Sequence, residues 1–360
     1  MLAGTRLRDL NTALEEQGLA LENLGACAAQ SIAGAVATGT HGTGRELGSM
    51  STQLRGLRII DAQGEIHDTR FDDPETRDLF TAAQVGLGAL GAVSAVTVHA
   101  VPLFKMKKTT FTMPIDEFLA QHDEFYANYS RFQWSWVPYS GIATVMLREE
   151  TDDDITGCWT SADTTTVTAP VTAEEDNGTV CVDVSYKTLV DSNSAYPQRT
   201  LYTEQEMFIP VEFAVDAVKD FIAYQNKVRT TFEEMMTEAG DATTSLYSQV
   251  RYVKADNITM SPMHGRDVAV LSMIVQGDQD STGNADAFAL YTRDGLEKIA
   301  AESYEGVPHW GKKNWATALD LLPFFGQENF DFFESVRQPL DPNGIFLNSY
   351  LIDRGVGVSK

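Results

Sequence analysis

Two hydrophobic spacings alternate along the chain. In "GTRLRDLNTALEEQG", Leu7, Leu10 and Leu14 recur at helical intervals, with Thr5 as the predicted N-cap and Gly18 as the stop. "LRGLRIIDAQGEIHD" predicts two strands around a turn at Gln63 and Gly64, with Leu57, Ile59 and Ile66 facing inward. "PETRDLFTAAQV" predicts a helix that opens at Pro74 and buries Leu79, Phe80 and Ala83. "AVSAVTVHAVP" then reads as a strand ending at Pro102.

After "LFKMKK" the pattern changes. "PIDEFLAQHDEFYANYS" predicts an amphipathic helix, and "FQWSWVPYSGIATVMLRE" a strand pair rich in aromatics. "EMFIPVEFAVDAVKDFIAYQNKV" begins as a strand and becomes a helix on Val215, Val218, Phe221 and Ile222. "LYSQVRYVKAD" and "DVAVLSMIVQG" predict two strands around the loop "NITMSPMHGR". Residues 149–180 are acidic, Thr-rich and nearly devoid of core residues, which predicts an exposed excursion. Strands and helices without a regular βαβ rhythm predict an α+β fold. The change near Pro102 divides the chain into a unit at 1–102 and a second at 103–360.

Composition narrows this picture. The 360 residues are 43% hydrophobic and 22% charged, enough for two globular domains. A net charge of −24 excludes nucleic acid or an anionic membrane as a partner held by bulk electrostatics. No apolar run approaches the roughly 20 residues that span a bilayer, so the chain reads as soluble, with its compartment open. The opening residues run from a strand end directly into a helix, which predicts that the chain starts inside a fold and that an N-terminal portion is missing. Three cysteines make no disulfide framework. Cys158 and Cys181 flank the acidic segment and would pair in an oxidising compartment, but separate thiols are the favoured expectation.

The candidate chemistry lies in short stretches. "GLGALG" holds Gly86, Gly88 and Gly91 in the string of a dinucleotide turn, but a helix precedes it and a strand follows. The pyrophosphate turn needs the reverse order, so the nicotinamide reading is rejected. "VATGTHGTG" offers backbone N–H groups, small hydroxyls and one imidazole, and reads either as a structural turn or as a surface for a flat or anionic ligand. "VPHWGKKNW" brings His309, Trp310 and Lys312 together. Gln249 and Arg251 stand two apart on one strand, so they face the same side. No His or Cys spacing of a metal site occurs.

In this order, these stretches resemble the sugar-1,4-lactone oxidase family, flavoproteins of the vanillyl-alcohol-oxidase fold that include the gulonolactone, arabinonolactone and alditol oxidases. "AGTRLRDLNTALEEQGLALENLGACAAQSIAGAVATGTHGTG" and "LFTAAQVGLGALGAVSAVTVHAVP" resemble the second half of its PCMH-type FAD-binding domain. "EMFIP", "QVRYVKADNITMSPMHGRD", "PHWGK" and "DPNGIFLNSYL" resemble its lactone-oxidase substrate domain, with a mixed or antiparallel sheet. The resemblance implies FAD as cofactor, a sugar lactone or polyol as substrate, and oxygen or another acceptor for the electrons. It makes Arg251 and Lys312 catalytic cations. It assigns Thr38, Gly39, His41, Gly42 and Gly44 to the cofactor loop, with Gly86, Gly88, Gly91 and His309 also on the cofactor. Several members of the family are membrane-associated.

Two departures follow from the same resemblance. The family's N-terminal subdomain, with its pyrophosphate loop and the histidine that binds flavin covalently in some members, precedes the matched stretch. The expectation is therefore a cofactor half-site, in which His41 lines the loop without anchoring the flavin. Where the family reads Glu-x-Arg, this chain has Gln249, Val250 and Arg251. A glutamine can hydrogen-bond a substrate hydroxyl but cannot take its proton. The rival expectation is accordingly a non-catalytic relative that keeps the fold and binds a sugar-like ligand.

Overall fold

A computed structural model describes residues 1–158, 178–190, 202–239, 245–276 and 282–357. The first unit comprises α1 (Leu7–Glu15), β1 (Leu19–Ala20), α2 (Ile32–Ala37), β2 (Leu54–Ile60), β3 (Ile66–Arg70), α3 (Arg77–Ala83), β4 (Ala92–Val98) and β5 (Val101–Pro102). Three of its strands form a sheet in the order β3-β2-β4, with Leu2 bridging Ala95 on the far side of β4, while β1 and β5 pair in a separate two-stranded sheet. Leu7, Leu10, Ile32, Val36, Leu57, Ile59, Phe80 and Val96 share one core.

The second unit continues with β6 (Lys105–Pro114), α4 (Ile115–Asn128), β7 (Arg131–Trp136), β8 (Ile142–Glu150), β9 (Thr179–Val184), α5 (Ser185–Leu189), β10 (Tyr202–Pro210) and α6 (Ala214–Ala239). Next come β11 (Ser245–Val253), β12 (Val268–Gln276), α7 (Thr282–Tyr291), α8 (Lys298–Ser303), β13 (Val307–Pro308), α9 (Ala318–Leu340) and α10 (Ser349–Asp353). Eight strands form one antiparallel sheet in the order β13-β10-β12-β11-β7-β8-β6-β9. On α4, Ile115, Phe118, Leu119 and His122 are buried at helical spacing, with Asp116 and Glu117 favourably placed in the first turn. They join Trp134, Trp136, Phe221, Tyr252 and Leu271 in a second core on one face of the sheet. The chain's last fifth returns to the first core, where Trp310, Leu321, Phe325, Phe333 and Leu351 are buried. The fold is α+β. Among the described residues no helix is long and apolar enough to cross a membrane.

Three expectations need correction. Helix α1 starts after Arg6 with no side-chain cap, because the Thr5 carbonyl and Arg6 backbone are committed to pairing with Ile32 and Ser31. Ile66 is 62% exposed. The β2–β3 register sets it opposite Ile60, on the face of Arg58 and Asp68, while Leu57 and Ile59 oppose Thr69 and His67 on the buried face. Cys158 and Cys181 are joined, not separate thiols. Thr156 and Gly157 both donate backbone hydrogen bonds to the Val182 carbonyl, which draws Cys158 alongside β9. The predicted excursion begins and ends in strands, since Glu149 and Glu150 belong to β8 and Thr179 and Val180 to β9; its part at 159–177 lies outside the described residues.

Thiol titration of the denatured protein is therefore expected to find Cys27 alone before reduction and all three cysteines after it. Closing a loop of this length is worth about 3 kcal/mol by chain entropy. Cys181→Ser should lower stability in urea denaturation by up to that amount, and an unchanged midpoint would contradict a stabilising bridge.

Candidate active site

The second face of the large sheet is buried and carries a polar row beside an apolar patch of Phe208, Val253, Val268 and Val270. Strand alternation sends Trp134 and Trp136 of β7 into the core and turns Gln133 and Ser135 the other way. Cα pairing then sets Glu206 opposite Ser272, Ser272 opposite Gln249, and Gln249 opposite Ser135. These four residues form one row across β10, β12, β11 and β7, and all are buried. Arg251, also buried, lies two residues from Gln249 on the same face.

The small-residue loop of the first unit joins this sheet. Gly39 turns the chain at φ 77°, and a Cβ there would stand 3.5 Å from Pro262 Cδ. Thr43 Oγ1 donates to the Phe132 carbonyl at 2.6 Å and accepts the Tyr252 N–H at 3.2 Å. The Gly44 N–H donates to the Tyr252 carbonyl at 2.7 Å. On the loop's opposite side a Cβ on Gly42 would come within 2.4 Å of the Leu24 carbonyl, so only glycine fits between the two layers. The Leu87 N–H donates to the Ala37 carbonyl at 3.1 Å, which brings Gly86 and Gly88 beside the start of the loop. Gly91 is elsewhere: it packs on β2, where a Cβ would lie 2.5 Å from the Ile60 carbonyl.

The turn after β13 completes the cluster. His309 N–H donates to the Glu206 carbonyl at 3.0 Å and Lys313 N–H to the Glu204 carbonyl at 3.2 Å, which fastens the turn along β10. Lys312 Nζ then bonds Glu204 Oε2 and stands 3.7 Å from Glu206 Oε1. A Cβ on Gly311 would come within 2.9 Å of Thr38 Oγ1, so the turn also touches the loop. His41 Nε2 reaches Glu206 Oε2 at 3.4 Å, and His309 Nε2 stands 3.9 Å from the same oxygen. Both rings pack on Phe208, at centroid distances of 5.2 and 5.7 Å.

Hydrogen-bond partners fix where the protons sit. His41 Nδ1 lies 2.9 Å from the Gly42 carbonyl, which can only accept, so Nδ1 carries a proton. Nε2 faces Glu206 Oε2. His309 Nδ1 accepts the Gly311 N–H at 2.8 Å, which puts its proton on Nε2. Burial pushes the His309 imidazole down to about 3 against the pull of Glu206, so the ring is neutral. Burial opposes ionisation of Glu206, yet Lys312 and His41 outweigh it and hold the carboxyl well below its usual range. Burial likewise opposes a charged Lys312, and the two carboxylates outweigh it and raise its pKa. One ammonium cannot serve both carboxylates fully, and burial pushes Glu204 up to about 7.

His41, Glu206 and His309 offer three atoms within 4.8 Å of one another, a proximity that no local spacing reveals. As a metal site the set is poor. Nε2 of His309 is protonated, and the Lys312 ammonium already occupies the vicinity of Glu206. The arrangement is a buried charge cluster.

Comparison with known proteins accords with this geometry. Residues 156–354 match the family model described as D-arabinono-1,4-lactone oxidase, and residues 2–70 match an FAD binding domain. The chain belongs to the D-arabinono-1,4-lactone oxidase family. It is 30% identical to the L-gulono-1,4-lactone dehydrogenase of Mycobacterium tuberculosis, over 96% of this chain and 79% of that protein. It is 26% identical to the L-gulonolactone oxidase of Mus musculus and 27% to the alditol oxidase of Streptomyces sp., each over 97% of this chain and 79% of the relative. In fold it is similar to cholesterol oxidase from Brevibacterium sterolicum, with a TM-score of 0.73 at 17% identity over 98% of this chain and 80% of that one. Family membership makes the chain an FAD-dependent oxidoreductase of the sugar-lactone and alditol class, with FAD as its cofactor.

The residues around the loop fit that cofactor. Asn23, whose carboxamide lies against Gly42, has a buried Nδ2 without a hydrogen-bond partner, and so does the hydroxyl of Ser49. Buried donors of this kind suit a ligand rich in phosphate, hydroxyl and carbonyl oxygens. Sequence reasoning missed Glu204, Glu206 and Ser272. A signal existed: Glu204 and Glu206 stand two apart in "TEQEMFIP", so two carboxylates share one face of a strand that ends in an apolar run.

The shift at Glu204 has a testable sign. A carboxyl whose folded pKa is raised from 4.5 to about 7 stabilises the fold fully below the lower value and loses that contribution as pH rises through the upper one. Calorimetric melting of Glu204→Gln from pH 5 to 8 should show a flatter profile than the wild type, with a gain of about 2–4 °C at pH 8. Parallel profiles would remove Glu204 as the titrating group.

Proposed function

We propose that this chain oxidises the CH–OH group of an aldono-1,4-lactone or a related polyol, with molecular oxygen as the final electron acceptor. The observation that carries the reading is the convergence of Arg251, Gln249 and Lys312 with the loop 38–44 on one buried polar sheet face. FAD supplies the hydride acceptor. Thr38, Gly39, His41, Gly42 and Gly44 hold it through backbone and small side chains, with Gly86 and Gly88 beside them and His309 packed against His41. Gly91 serves the same unit by allowing the turn to close on β2.

Arg251 and Lys312 stabilise negative charge as it develops, Arg251 from β11 and Lys312 from the turn after β13. The Gln249 amide orients the substrate hydroxyl. The oxidases among the relatives support oxygen as acceptor by analogy.

A second reading has one specific observation in its favour. Gln249 stands where the family resemblance expects a carboxylate, which fits a relative that binds a sugar-like ligand without turning it over.

Purification with added FAD should yield a protein with flavin absorbance that bleaches anaerobically with L-gulono-1,4-lactone and consumes oxygen in air. Arg251→Ala should lower kcat/KM by about 10²–10³ through lost charge stabilisation. A coloured protein that binds lactone without bleaching, and gains bleaching in Gln249→Glu, would establish the second reading. Dye reduction without oxygen uptake would make it a dehydrogenase.

A further inference from the structure

Gln249 leaves the reaction without a base at the expected position, yet a carboxylate lies on the same cross-strand row. Ser272 stands between Gln249 and Glu206 in the sheet, and its Oγ is 3.4 Å from Glu206 Oε1. We propose that Glu206 is the terminal acceptor of the substrate's hydroxyl proton, reached through Ser272 Oγ. The inference rests on the lactone-oxidising reading and names the proton's destination within it.

The chemistry balances. The substrate O–H bond breaks and its proton passes to Ser272 Oγ as the serine's own proton moves to Glu206 Oε1. Bound FAD would accept the electron pair of the adjacent C–H bond as hydride, which leaves the carbinol carbon as a carbonyl. A serine hydroxyl both donates and accepts, which a relay requires. Glu206 is the only carboxylate of the cluster on the row: Glu204 opposes Ile274, one strand step further on, and its carboxyl bonds Lys312.

The surroundings of Glu206 keep it ionised, so its carboxylate lone pairs are free to accept a proton. The charged and titratable groups that face it are Lys312 at 3.7 Å, His41 at 3.4 Å and His309 at 3.9 Å, with Glu204 beside it on β10. When Glu206 is neutralised, Lys312 keeps Glu204 as its counter-ion, so no bare ammonium is left buried. His41 is held by the Gly42 carbonyl through Nδ1, which leaves Nε2 facing Glu206.

The experiment uses the FAD-loaded full chain with L-gulono-1,4-lactone. Glu206→Gln should lower kcat by about 10²–10⁴ with KM changed less than about threefold, the range for a lost acid–base group. The fall of kcat toward acid pH should disappear in Glu206→Gln, and Glu206→Asp should recover part of the rate. Ser272→Ala should lose at least about tenfold in kcat while Ser272→Thr, which keeps the hydroxyl, stays near wild type. Independently of turnover, nitrogen NMR of the histidine rings should find the His41 Nε2 resonance shifted between the wild type and Glu206→Gln, because the carboxylate facing it is replaced by a neutral amide.

Retention of kcat in Glu206→Gln overturns the proposal, as do equal rates in Ser272→Ala and Ser272→Thr. If Glu206→Gln fails to fold, the Ser272 pair decides. A wild type that never oxidises lactone overturns the parent reading and this one with it; an active wild type indifferent to these variants overturns this one alone.

Discussion

A single half-buried ammonium, Lys312 between the Glu204 and Glu206 carboxylates, is the constraint on which the site depends. Two carboxylates in a dry interior are tolerable only if a cation stands between them or one keeps a proton. Removing the cation from such an arrangement typically costs about 3–5 kcal/mol. The cluster therefore fastens the turn 309–312 along β10, and it draws His41 of the first unit to the opposite side of Glu206. Three segments remote in sequence are held together by one electrostatic requirement, and the loop 38–44 is among them.

The sheet beneath the cluster shows why function collects there. An antiparallel strand with alternating residues ordinarily shows its polar side to water. In β7, β11 and β12 the polar side is buried as well, covered by segments of the first unit that hydrogen-bond to the strand backbones at Phe132 and Tyr252. Polar residues placed out of water must find partners, whether neighbouring side chains or a ligand. The same face supplies Gln249 and Arg251 from β11, Ser272 from β12 and the two glutamates from β10, so cation, hydroxyl and carboxylate chemistry are adjacent without any being adjacent in sequence.

Much of this was legible before any fold. The apolar spacing in α1, α3, α4 and α6 and the strand alternation in β7 and β11 identify those elements, because helix and strand periods are local. The composition of the loop 38–44 fits either a structural turn or a surface for close approach, and the family resemblance favours the second. Other features were not legible. Ile66 looks like a core residue, yet its direction follows from pairing with Ile60. Cys158 and Cys181 look like separate thiols until the backbone bonds to Val182 bring them together. Gly91 looks like part of a ligand turn, while its crowding comes from the carbonyl of Ile60.

The order of elements, the chemical character of each strand face and the resemblance to one enzyme family are all written in the linear chain, because periodicity and motif order need no knowledge of neighbours. The row of Glu206, Ser272 and Gln249, the approach of His41 to Glu206, and the neutrality of His309 belong to the tertiary structure alone. Each depends on which strands pair, in what register, and how completely water is excluded. Those are properties of residues that meet from different strands and turns far apart in the chain, and no local pattern records them.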